Sequence, residues 1–139
     1  TEIYTLSLHD ALPIWLAAGV LESTLAALRE GAGVPPSQVD AWIGPCIGPR
    51  RFEVGPDVLA ALGEHAPSGT RSAFLSRPRP DGSPRWLADL PALARARLQA
   101  AGARSIAGGA WCTADDGSRF FSYPRDRVTG RMAAAVWRR

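Results

Sequence analysis

The sequence predicts an α/β (α+β) fold in which mixed β-sheets are covered by helices. Two observations carry that reading. Apolar residues recur at helical spacing over Leu16–Glu30 and again over Leu87–Ala101, while short apolar runs at Val39–Ile43 and Ser105–Ala107 have the length of strands. Glycine and proline clusters punctuate the chain between them.

Taken in order, Val20, Leu21, Leu25 and Leu28 lie on one face of a helix, with Glu22 and Arg29 elsewhere on its circumference. Gly31 and the Pro35-Pro36 pair are expected to end it. Val39–Ile43 reads as a buried strand. In GPCIGP, two Gly-Pro steps frame Cys46 and Ile47, and such a loop is built for shape. Pro56 opens a second helix that runs to His65. Residues 66–84 are rich in Pro, Ser, Gly and Arg and are broken only by Ala73-Phe74-Leu75, an expected edge strand. The third helix has Asp89 as its N-cap, Pro91 in its first turn and Gly102 at its close. Alternation predicts a strand over Arg119–Tyr123, and Met132–Trp137 reads as another. The span PRDRVTGR between them is then a hairpin-like return carrying Arg125, Arg127 and Arg131.

A chain of 139 residues, 46% hydrophobic and 21% charged, is sufficient for one core and shows no domain boundary. All sixteen basic residues are arginine and the net charge is +3. Those arginines are spread from Arg29 to Arg139 in runs no longer than two, so they read as solvated surface and no nucleic-acid partner is expected. No apolar run approaches the ~20 residues that would cross a membrane, and no secretory leader is visible. Cys46 and Cys112 make no disulfide framework, and a reducing, cytoplasmic setting is expected.

Two segments carry a resemblance: AWIGPCIGPRRFEVGPDV from Ala41 to Val58, and CT followed by FFSYPRDRVTGRMA from Cys112 to Ala133. Together and in this order they resemble the polyphenol oxidase or laccase-domain family, whose bacterial members are described as purine nucleoside phosphorylases and peptidoglycan editing factors. The resemblance runs from about Trp15 to the end and corresponds to the C-terminal half of a single family domain. It implies a four-layer α/β/β/α arrangement for a complete member. Residues 1–14, TEIYTLSLHDALPI, do not match; they read like a translated sequencing adapter and are expected to be foreign.

The resemblance also implies zinc, or copper in the oxidase description, held by two histidines and a cysteine of the N-terminal half and of a HAGWRG-like motif. Only Trp15 stands near the place of that motif, and His9 has neither its neighbours nor its spacing. No metal ligand and no catalytic residue is therefore assigned in this chain, which is expected to be an inactive, truncated fragment. The activity implied for the family is phosphorolysis of purine nucleosides, with adenosine deamination and phenol oxidation beside it. The partners are then a purine nucleoside and phosphate.

What this half is suited to supply is a pocket wall. Phe121 and Tyr123 are candidates to stack on a purine base, and Arg125 and Arg131 to bind phosphate or ribose oxygens through planar forks of donors. The alternative reading places the aromatics in the core and Arg125, Asp126 and Arg131 in surface ion pairs. Pro124 stands where the family pattern usually has arginine, which removes a charge and a donor. Cys46 reads either as a nucleophile in an oxyanion-binding loop or as a small buried thiol, with the thiol favoured; Cys112 reads as core. Cys46, His65, Cys112 and His9 have no short ligand spacing. Glu53 and Asp57 as paired acid–base carboxylates are outweighed by simpler roles, neutralisation by Arg50 and Arg51 and stabilisation of a helix start. A different class of function, a non-catalytic module binding a nucleotide or protein through the arginine loop, stays as the alternative.

Overall fold

The structure is a computed structural model that describes residues 12–63 and 70–134. His9, His65, most of the segment expected to be foreign and the far end of the Met132–Trp137 strand lie outside the described residues.

Two helices stand where the periodicity predicts one. Helix α1 spans Leu12–Ala17 and α2 spans Val20–Ala32. The break falls at Gly19, whose φ of 81° belongs to the left-handed region that glycine enters without steric cost. Its N–H still donates to the Leu16 carbonyl at 3.1 Å, so the chain turns without losing that bond. Gly33, also left-handed, closes α2 two residues beyond Gly31.

Strand β1, Asp40–Ile43, follows a 3-10 turn at Pro36–Gln38. Strand β2 is Glu53–Val54, α3 is Pro56–Gly63, and β3 is Phe74–Ser76 after a second 3-10 turn. Strand β4 takes Trp86–Ala88, so Leu87 belongs to a strand and α4 begins only at Leu90, running to Ala100. The Asp89 carboxylate accepts from the Ala92 N–H at 2.9 Å and fixes that start. Strand β5 is Ser105–Gly108.

β1 and β5 pair in parallel, with Asp40 opposite Ser105 and Ile43 opposite Gly108. β2, β4 and β3 form an antiparallel sheet in that order, which leaves β3 at an edge as predicted. The core is Leu16, Leu21 and Leu25 from α1 and α2, Ile43, Leu62, and Leu90, Leu93, Ala94 and Leu98 of α4. Only Ile43 of β1 is buried; Trp42 is 55% exposed, because in this two-stranded sheet the face away from Ile43 has no helix over it among the described residues.

The expected strand at Arg119–Tyr123 is absent. A loop there leads into the single helical turn α5, Tyr123–Asp126, which replaces the hairpin. Pro124 sits in its first turn, where a backbone N–H has no intrahelical partner, so the missing donor costs nothing. Residues 131–134 have no regular structure.

Candidate functional site

Parallel pairing puts the carboxyl ends of β1 and β5 at the same end of the molecule; the first segment that carries the family resemblance runs out of β1 there and the second begins just beyond β5. They join at once. The Cys46 N–H donates to the Trp111 carbonyl at 3.3 Å and the Thr113 N–H donates to the Cys46 carbonyl at 2.9 Å, making Cys46 and Cys112 a parallel bridge pair. Gly108 and Gly109 both have φ of 79°, and the Gly109 N–H donates to the Ile43 carbonyl at 2.7 Å. Arg95 of α4 holds β5 from behind, donating to the Ile106 and Gly108 carbonyls at 2.8 Å each.

Charge is paired across the two loops. The Arg51 Nε donates to Asp115 at 2.5 Å and Arg50 approaches the same carboxylate at 3.4 Å. Hydrogen bonding from Arg51 is the main cause that holds the Asp115 carboxyl below its usual range, with the Cys112 thiol and Arg50 adding to it. Glu53 is neutralised instead by Arg79 and Arg85, at 2.5 and 3.7 Å, because Arg50 and Arg51 turn to Asp115. Asp57 lies in the first turn of α3.

Arg125 is woven into its surroundings. It donates to the Thr113 carbonyl and the Phe120 carbonyl at 2.9 Å each and pairs with Asp126 at 2.5 Å. That pairing raises the guanidinium pKa and lowers the Asp126 carboxyl. Gly117 lies beneath it, since a Cβ there would stand 3.2 Å from Arg125 Cζ. Phe121 leans on Gly130 in the same way, 2.8 Å from the position of a Cβ. Phe121 and Tyr123 are 49% and 48% exposed, so both present faces to solvent, and Arg131 is exposed on the segment beyond them.

The sequence reading did not single out Trp42, Trp111, Thr113 or Asp115. Trp42 and Trp111 meet edge to face, centroids 6.4 Å apart, at the mouth of the two loops. Thr113 is buried and its backbone carries bonds to both Cys46 and Arg125. Asp115 is marked in the sequence only by its neighbour Asp116; its partners lie far back in the chain. Cys46 is buried, and burial is the main cause that pushes its thiol up to about 12. Among the described residues no group of three or more His, Cys, Asp or Glu side chains could hold a metal ion. No described helix is long and apolar enough to cross a membrane.

A mixed α/β unit with two glycine-marked loops fastened together beyond the ends of two parallel strands is the architecture these elements build. The sequence model of the multi-copper polyphenol oxidoreductase laccase family matches residues 15–139, and the chain belongs to that family. It is 47% identical over 123 residues to a purine nucleoside phosphorylase of Pseudomonas aeruginosa, covering 88% of this chain and 47% of that protein. It is 50% identical over 125 residues to a purine nucleoside phosphorylase of Xylella fastidiosa, covering 88% and 44%. A crystal structure of a Neisseria meningitidis protein superposes with a TM-score of 0.73 at 43% identity, covering 85% of this chain and 45% of that one. The chain spans about half the length of the curated relatives it matches.

Proposed function

We propose that this chain is the C-terminal half of a purine nucleoside phosphorylase and supplies one wall of its substrate pocket. The observation that carries this reading is the Cys46–Cys112 bridge pair, which brings the two family-marked loops to one place. The substrates are a purine nucleoside and phosphate, as the names of the relatives indicate. Phe121 and Tyr123 stack on the base, with their exposed faces available for it. Arg131 binds phosphate oxygens. Four hydrogen bonds leave Arg125 one of its five N–H donors for a substrate oxygen, so it both holds the loop and contacts substrate.

Zinc enters this reading only as the family's cofactor, with copper as the oxidase counterpart. The donor set among the described residues does not fit it, and no step runs through it here. The polypeptide by itself is inactive in this account, the metal-binding histidines and cysteine belonging to the other half of the domain. Adenosine deamination and phenol oxidation are further activities of the same reading, and the cytoplasm is its setting.

The test is to extend the reading frame upstream of Trp15 from source DNA and assay the product for zinc and for phosphate-dependent release of hypoxanthine from inosine. Release that falls at least about tenfold in Arg131→Ala, with the fold retained, supports the reading. An extended, folded, metal-loaded product that leaves inosine intact removes it.

A further inference from the structure

The two thiols are unused by the proposed reaction, and the fold holds them in an arrangement with a chemistry of its own. Cys46 and Cys112 are directly opposite one another as parallel bridge partners, and both are free. Partners on neighbouring strands stand about 4.8 Å apart and project their side chains to the same face of the ladder. That spacing lies inside the ~4.4–6.8 Å window of Cα separations that a disulfide spans. The sulfur of Cys112 lies against the loop that carries Cys46. The Gly48 N–H donates to Cys112 Sγ at 3.2 Å, and position 48 has no room for a side chain, because a Cβ there would stand 3.0 Å from Cys112 Cβ.

We infer that Cys46 and Cys112 form a reversible intramolecular disulfide, a modification site driven by hydrogen peroxide, in which Cys112 reacts first and Cys46 resolves. Cys112 is only half-buried and receives a backbone N–H, whereas Cys46 is buried. The Cys112 sulfur attacks the peroxide, breaking the O–O bond; one oxygen stays as a sulfenic acid and the other leaves as water after taking the thiol proton. The Cys46 sulfur then attacks that sulfenic sulfur, the S–S bond forms, and the hydroxyl leaves as water with the Cys46 proton. Two thiols are oxidised and one peroxide is reduced to two waters. Burial, which pushes the Cys46 thiol up to about 12, keeps it from being the thiol that meets peroxide first; the sulfenic sulfur held beside it is the electrophile it reacts with, and its proton leaves with the hydroxyl. The bond fastens loop 44–51 covalently to the segment that carries Asp115 and leads to Phe121 and Arg125. Reducing thiols reverse it, the behaviour of redox-sensing disulfides in reducing compartments.

The chain is treated with hydrogen peroxide, its free thiols are counted, and its peptides are mapped by mass. The expected result is loss of both thiols, a peptide pair joined through Cys46 and Cys112 within one chain, and full recovery with dithiothreitol. With glutathione as the redox couple, the disulfide should form with an equilibrium constant at least about tenfold larger in the native chain than in urea. In Cys46→Ala, peroxide should leave Cys112 as a sulfenic acid that dimedone traps. Surviving thiols, cross-links only between chains, or equal equilibrium constants in native and unfolded chain each overturn the inference. Because the wild-type comparison stands by itself, a poorly folding variant does not decide the matter.

Discussion

The Arg97 guanidinium, 3% exposed, reaches from α4 to α2 and donates to Glu22 at 3.2 Å. This ion pair ties two helices that both contribute leucines to the core, and its Nη2 and the second Glu22 oxygen have no partner among the described residues.

Removing Glu22 leaves a buried cation uncompensated, which costs more than the pair contributes. Glu22→Ala should lower stability by about 2 kcal/mol in urea unfolding. The double variant Glu22→Ala with Arg97→Met should recover most of it, since an apolar side chain of similar length suits that interior. A double variant no more stable than the single one would show that the guanidinium is not the source of the loss.

Gly108 should tolerate no side chain. A Cβ there collides with the Ile43 carbonyl oxygen and stands 2.9 Å from Trp42 Nε1, at a φ of 79° that already disfavours an L-residue. Gly108→Ala should cost at least about 2 kcal/mol and lower the thermal midpoint. Gly63→Ala, where nothing lies within 4 Å of the added methyl, is the control and should change little.

Arg127 is the one described residue other than glycine with positive φ, 61°, and the Val128 N–H donates across it to the Asp126 carbonyl at 2.6 Å. This is a γ-turn of the strained hand. Arg127→Gly relieves backbone strain of ~1–3 kcal/mol against a glycine entropy cost of ~0.5–1 kcal/mol, so it should stabilise the chain by about 1 kcal/mol. Calorimetry showing a lower midpoint for the glycine variant would contradict that balance.

Asp40 sets part of the acid response. Hydrogen bonds from Arg104 and then Ser105 lower its carboxyl pKa to about 2. A depressed carboxylate pKa means stability that is present above the unfolded value of ~4 and is lost as the pH falls through the folded value. The midpoint of Asp40→Asn should therefore sit below that of the wild type at pH 7, and the gap should close between pH ~4 and about 2. A gap that persists unchanged at the acid end would mean the Arg104 contact contributes nothing through charge.

Much of the scaffold was legible because its signals are local. Asp89 and Pro91 announce the start of α4, Pro56 that of α3, and the apolar runs at Val39 and Ser105 mark the two parallel strands. The Gly19 break was hidden because the apolar period continues across it from Leu16 to Leu28. Leu87 was drawn into the helix because only Asp89 separates the apolar run Trp86–Ala88 from Leu90, and its strand is defined by partners in β2 and β3. The alternation at Arg119–Tyr123 misled because Phe121 and Tyr123 face solvent, so the pattern does not report a buried face. In the site, the resemblance marked both loops, but nothing local showed that Cys46 would lie against Cys112 or that Asp115 would claim Arg50 and Arg51. Those are contacts across 64 to 66 positions of chain.

The parallel pairing of β1 with β5 also sets an order of events in folding. Asp40 and Ser105 are 65 positions apart, and closing so long a loop costs roughly 4 kcal/mol of chain entropy before any strand bond forms. Helices α2 and α4 close within themselves, and the β3–β4 pair spans a much shorter stretch, so these assemble first and the two strands dock on them last. The end of the molecule that gathers Cys46, Cys112 and Arg125 thus matures at the final step, and amide protons of β1 and β5 are the ones that exchange when that step reverses.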